Sequence, residues 1–359
     1  MSIRDINQDW INQFDKPLII AGPCSAESEK QVMEIAERLD KDYVQVYRAG
    51  IWKPRTKPGS FEGVGAIGLN WLRRVKEEFG MLTATEIANA SHAKLALEFD
   101  IDYLWIGARS TVNPFAMQEI AESLRDTDKV VLVKNPVNPD LDLWIGGLER
   151  LAAQGIKKLG VIHRGFSSNN KSKYRNNPQW QIALELKDRF PNIPIICDPS
   201  HIGGTRELIS EIAQQAFNLE YNGLMIETHC NPDEAWSDAK QQITPERLKE
   251  ILVDLTIRKK NDLSDDFSSK LNRYRGEIDE LDNQLLGLLA SRMDVAKKIG
   301  ILKKDHNVAI FQPDRWNVLK KLAIRNGSRM GLSEEFLDHL LISIHKESVD
   351  LQNKIMDDI

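Results

Sequence analysis

Several short apolar runs in this sequence end on residues able to do chemistry. AGPCS carries Cys24, and RAGIWKPRT carries Arg48 and Lys53. IGARS, VKN and HRG carry Arg109, Lys134 and Arg164; DPSH and IETH carry His201 and Glu227, with Asp238 a little further on. Five of these are cations, in a chain whose net charge is −5. Gathered at one mouth they would repel one another, so they ask for a multiply charged anionic substrate. Cys24, His201, Glu227 and Asp238 offer one sulfur, one nitrogen and two oxygen donors. That mixture suits a borderline divalent ion such as Mn2+, Fe2+, Co2+ or Zn2+ and is unlike the all-oxygen shell of magnesium.

The elements that must position these residues are legible around them. β-rich apolar runs recur at Leu18–Cys24, Val44–Gly50, Met81–Ile87, Tyr103–Ala108, Val130–Asn135, Leu159–Gly165, Ile193–Ser200 and Gly223–His229. Helical periodicity lies between them, as at Lys30–Asp40, Ile67–Phe79, Pro114–Arg125 and Pro178–Phe190, so strand and helix alternate. Eight such repeats, with neither GxGxxG nor GxxxxGK[ST] present, predict an α/β fold that is a closed (β/α)8 TIM barrel and not an open doubly wound sheet. In that architecture active sites stand at the C-terminal strand ends, where these residues fall. Gly203 and Gly204 follow the histidine, either as a phosphate-binding turn or as a tight turn needing glycine for backbone reasons.

The barrel is expected to span 1–257, followed by a charged, serine-bearing linker over 258–267 and a small all-α domain over 268–359. Leu271, Tyr274, Ile278, Leu281, Leu285, Leu288, Val295, Ile299 and Leu302 follow a three-four spacing that predicts one long helix. A second helix is predicted from Pro313 to about Asn326, and a third from an N-cap at Ser333 to about Ile355. Arg292 occupies a core position of the long stripe, Lys303 lies three turns on, Arg315 is on the inner face of the second helix, and Ser348 interrupts the stripe of the third. A cationic, carboxylate-poor interior asks for a ligand with two or more carboxylates.

Hydrophobic content of 42% and charged content of 28% are ordinary for a soluble protein, and the charge gives no sign of a nucleic-acid partner. The N-terminus has no signal-peptide core and no run approaches a membrane span, so a cytoplasmic protein is expected. Three cysteines, Cys24, Cys197 and Cys230, argue against a disulfide framework.

AGPCS, RAG with KPRT, IGAR, HRG, DPSHIGG, and IETH followed by SDAKQ together resemble the compact 3-deoxy-D-arabino-heptulosonate 7-phosphate (DAHP) synthases over residues 15 to 258. The resemblance implies Cys24, His201, Glu227 and Asp238 as metal ligands, with Mn2+ the leading ion. It implies that Arg48, Lys53, Arg109, Lys134 and Arg164 hold phosphoenolpyruvate and that Arg55 and Thr56 receive the phosphate of erythrose 4-phosphate. Octulosonate-phosphate synthases carry KANR-type sequence where this chain has KPRT, which favours the four-carbon aldehyde over that alternative. Lys53 is the candidate proton carrier and His201 a further catalytic candidate.

The tail resembles the all-helical chorismate mutases through Arg275, Arg292, Lys303, Arg315, Ser348 and Gln352. That resemblance implies arginines clamping the carboxylates of chorismate, with Lys303 and Gln352 on the ether oxygen and no cofactor. Arg275 and Arg292 are about 25 Å apart along one helix, so Arg275 must serve a second site in an interlocked homodimer. The family's acids around the second-helix arginine are replaced by Gln312 and Trp316. The alternative is a non-catalytic dimerisation tail that senses chorismate or prephenate and controls the barrel, and feedback by prephenate is expected to be compatible with a catalytic tail as well.

Overall fold

The computed structural model describes residues 3, 6–53, 59, 61–168, 172–257, 265–311 and 313–357, with 265, 266, 268, 314 and 357 described by backbone only. It divides into two compact units, Met1–Lys260 and Asn261–Ile359.

The first unit is a closed barrel of eight parallel strands in sequence order: β1 Leu18–Gly22, β2 Val46–Arg48, β3 Leu82–Ile87, β4 Tyr103–Ile106, β5 Val130–Lys134, β6 Leu159–His163, β7 Ile195–Cys197 and β8 Gly223–Glu227. β8 closes on β1 in register from Leu18 with Gly223 to Gly22 with Glu227. Strands buried on both faces read as unbroken apolar runs, as VVLVK and LGVIH do. The side chains of Leu18, Ile20, Val46, Trp105, Leu132, Ile162, Ile196 and Met225 fill the interior, and Trp10 packs into it with its ring edge on Tyr103. A second, larger apolar layer lies between the strands and helices such as Glu29–Arg38, Ile67–Phe79 and Leu141–Ala153.

Most of the expected strand runs extend two or three residues past the observed C-terminal ends. Those residues leave the ladder to form the mouth. Gly22 shows why: its φ is +146° and an added Cβ would stand 2.0 Å from the Arg48 carbonyl oxygen. Only glycine lets β1 approach β2 that closely.

The second unit has three helices, Asp265–Asp305, Pro313–Arg329 and Glu334–Asp357. Ser333 caps the third, its Oγ accepting from the Phe336 backbone N–H at 3.3 Å. The long helix packs mainly on the third, yet Tyr274, Ile278, Leu281, Leu285 and Leu288 are between 52% and 69% exposed. The apolar stripe therefore has no cover within its own unit over this half. The linker positions 258–264 lie outside the described residues.

Candidate active sites

Cys24 leaves β1 as a buried thiol whose backbone N–H donates to Gln242 Oε1 at 2.9 Å. Its Sγ lies 3.5 Å from Asp238 Oδ2, and the donor atoms of Cys24, Glu227 and Asp238 all lie within 4.8 Å of one another. Asp238 reaches this place on a left-handed backbone, with φ +47°. Burial, helped by the neighbouring Glu227 carboxylate, pushes the thiol up to about 12. Burial also pushes upward on Glu227, but His201, Arg48 and Lys53 hold its carboxyl below the ordinary range. Asp238 is held at about 2, against burial, by His201 and Arg175.

His201, the fourth expected donor, stands at the edge of this group. Its Nε2 is 3.9 Å from Glu227 Oε1, and its Nδ1 is 2.8 Å from Asp198 Oδ2. Asp198 follows β7 and caps the short helix Pro199–Gly203, its Oδ1 accepting from the His201 backbone N–H at 3.0 Å. A carboxylate behind the ring directs the other nitrogen toward the group, as in carboxylate–histidine–metal arrangements.

The expected cations line the same mouth. Arg48 is buried, 3.3 Å from Glu227 Oε1, donates to the Cys24 carbonyl at 3.0 Å and lies over the Trp105 ring at 4.7 Å. Lys53 Nζ is 3.2 Å from Cys24 Sγ. Lys134 pairs with Asp198 at 2.9 Å. Arg164 donates to Asn176 Oδ1 at 2.9 Å, and its burial lowers its guanidinium to about 10. Arg109, on the first turn after β4, is exposed; with Lys134, Arg164 and His201 it borders a cavity of about 330 Å³. Arg55 and Thr56 lie outside the described residues.

Sequence reasoning missed four members. Arg175 lines the cavity and donates to Asp238 Oδ1 at 3.0 Å and Gln241 Oε1 at 2.7 Å. It sits far along the loop after β6, where a search of strand ends does not reach. Gln241 in turn donates to Glu227 Oε2 at 2.6 Å. Glu86, near the end of β3, accepts from the Trp105 indole at 3.1 Å and was hidden inside an apolar run. Asp198 had a visible signal, the Asp-Pro-Ser-His start of a helix. Gly204 is explained without a phosphate: its φ is +69°, it ends the short helix, and an added Cβ would meet Arg175 Cβ at 2.5 Å.

In the second unit Arg292, Lys303, Arg315, Ser348 and Gln352 border a cavity of about 350 Å³. Arg292 donates to Ser348 Oγ, and Lys303 donates to the Ile310 carbonyl. Gln352 Nε2 donates to the Ser348 carbonyl at 3.1 Å, leaving its buried Oε1 without a partner among the described residues. One expectation needs correction: Arg292 is exposed and not enclosed, because the flank of the long helix is uncovered within the unit. Arg275 is exposed and stands away from this cavity, as its distance along the helix requires. Gln312 lies outside the described residues.

A closed parallel barrel with a thiol, an imidazole and two carboxylates gathered among cations at the C-terminal strand ends defines the class: a barrel enzyme with its site at that mouth. The sequence profile of the DAHP synthetase I family matches residues 3–261, and that of chorismate mutase type II matches residues 274–353. The phospho-2-dehydro-3-deoxyheptonate aldolase of Thermotoga maritima is 34% identical over 66% of this chain and 68% of its own. A 2-dehydro-3-deoxyphosphooctonate aldolase of Legionella pneumophila is 29% identical over 67% of this chain and 92% of its own. The crystal structure of the Thermotoga DAHP synthase superposes with a TM-score of 0.60 at 31% identity, over 66% of this chain and 67% of that one. The chain belongs to the DAHP synthetase I family and carries a chorismate mutase domain on its C-terminal side.

Proposed function

We propose that the barrel joins phosphoenolpyruvate to erythrose 4-phosphate with release of phosphate, and that the tail rearranges chorismate to prephenate. The observation carrying this reading is the meeting of Cys24, Glu227 and Asp238 within 4.8 Å beside a cavity bordered by Lys134, Arg164 and Arg109.

A divalent ion fits these residues, because a thiol, two carboxylates and an imidazole backed by Asp198 form a mixed soft and hard donor set. Cys24, His201, Glu227 and Asp238 would hold it, with Mn2+ preferred and Fe2+, Co2+ and Zn2+ compatible. Bound there it would act as a Lewis acid toward the aldehyde carbonyl. The chain's own residues do the rest. Arg164, Lys134, Arg109 and Arg48 neutralise and orient the phosphate and carboxylate of phosphoenolpyruvate, while Arg55 and Thr56 take the sugar phosphate. Lys53 Nζ carries the proton to the oxygen of the former aldehyde. Water adds at the former enol carbon, and the carbon–oxygen bond to phosphate breaks.

In the tail, Arg292 and Arg315 grip the carboxylates of chorismate, and Arg275 of a second copy completes the clamp in a homodimer. Lys303 and Gln352 turn from their backbone carbonyls to the ether oxygen as its bond breaks, and Ser348 steadies Arg292. No cofactor takes part. No helix among the described residues is long and apolar enough to cross a membrane.

Both reactions are to be assayed on one purified sample. Phosphoenolpyruvate consumption is expected with erythrose 4-phosphate, weakly or not at all with arabinose 5-phosphate, and to stop with chelator. Preference for the five-carbon sugar, or indifference to chelator, would overturn the barrel reading. Chorismate that persists while still binding would leave the tail a sensor and not a mutase.

A further inference from the structure

The tail cavity holds one titratable side chain that the roles above leave unused, His345. Its ring lies flat against Trp316, with centroids 4.1 Å apart and planes 14° from parallel, and Phe311 is tilted beside it at 5.9 Å. A ring held by its face presents only its edge nitrogens to a ligand. Among the described residues neither nitrogen makes a hydrogen bond.

The cavity is rich in donors and poor in acceptors. Arg292 and Lys303 of the long helix and Arg315 of the second face His345, and no described lining residue is acidic. Trp316 can only donate. Ser348 Oγ is already engaged by Arg292 and donates to the Ile344 carbonyl at 2.8 Å. The Gln352 amide is assigned to the ether oxygen. A ligand with two carboxylates and a ring hydroxyl is thus matched on its anionic side, and the side-chain acceptors left for its hydroxyl proton are the His345 ring edge and Gln352 Oε1, which the amide carries with it to the ether oxygen. Burial, with Arg292 and Lys303 adding to it, holds the imidazole below the ordinary histidine range. At neutral pH it is uncharged and keeps an acceptor lone pair.

The geometry points to His345 as the specificity-determining acceptor for the ring hydroxyl of the tail's substrate, with Trp316 as the platform that fixes it. This rests on the mutase reading and goes beyond it in naming what selects the hydroxylated ring.

The test is mutase kinetics of the full chain from about pH 8 to about pH 5, for the wild type, His345→Phe and His345→Gln, with calorimetric binding of chorismate and an analogue lacking the ring hydroxyl. His345→Phe keeps the stack and loses the acceptor: KM for chorismate should rise about tenfold with kcat within about twofold. His345→Gln keeps an acceptor that does not titrate, so its KM should stay near wild type and lose the rise that the wild type shows toward acid. The analogue should bind the wild type and His345→Phe equally. Wild-type KM in His345→Phe would overturn the assignment, as would an acid rise retained by His345→Gln or equal weakening of both ligands. Wild-type binding without turnover would sink the mutase reading alone, and the same comparisons of affinity would then decide the role of His345.

Discussion

The two units complete their sites in opposite ways. In the barrel, donors from residues 24, 227 and 238 meet because the sheet closes on itself, and Cys24 and Glu227 are fully buried. In the tail, the cavity opens on an uncovered flank, Arg292 is exposed, and Arg275 lies beyond reach on a helix longer than either partner. A closed topology supplies every wall of its site. A three-helix unit with one overlong member leaves one side of its site open.

The sharpest break in that comparison should come from the barrel. Cys24→Ala removes a proposed metal donor and should lower synthase kcat/KM by about three decades, with metal content falling in parallel. Lys53→Ala should cost a comparable amount while metal content stays near one ion per chain. Mutase rates of both variants should remain within about twofold of wild type. Retained synthase turnover in Cys24→Ala would remove that thiol from the site. Loss of both activities would show that the two units do not fold independently.

A smaller effect tests the open half. Arg275→Ala and Arg292→Ala should each lower mutase kcat/KM by about a hundredfold, the worth of one or two charged hydrogen bonds. Mixed after unfolding and refolding together, they should recover about a quarter of wild-type activity, since half of the dimers are hybrids and each hybrid has one intact site. No recovery would mean that Arg275 acts within its own chain or does not act.

How much was legible follows the same division. Strand ends announce themselves because an apolar run must stop where the mouth begins, so Cys24, Arg48, Lys134, Arg164, His201 and Glu227 could be named from spacing. Arg175 could not, because its place depends on a loop folding back to hydrogen-bond the backbone of Ile202 and Gly203, and loops carry no period. The three-four stripe gave the long helix and the Ser333 cap gave the start of the third. The exposure of Arg292 was not legible because a stripe says that a face is apolar without saying what covers it.

A last expected effect separates the buried half from the open one by acid. His163 ends β6 inside a ring of Trp144, Phe166, Trp180 and Tyr221. Its Nε2 must donate to the Pro178 carbonyl, at 2.7 Å, so its Nδ1 accepts from the Tyr221 hydroxyl at 2.8 Å. Burial drives its pKa down to about 4. Unfolded, the imidazole titrates near 6.5, so between these values the unfolded chain binds a proton that the folded barrel refuses. Stability is full above the upper value and is lost as pH falls toward the lower one, by on the order of 3 kcal/mol. His163→Gln should start less stable at neutral pH, for want of the paired hydrogen bonds. Its deficit in barrel melting temperature, followed by tryptophan fluorescence, should narrow on acidification toward pH 4. A deficit that stays constant across that window would mean that the buried ring does not resist protonation, and the barrel would then be no more closed to solvent ions than the tail.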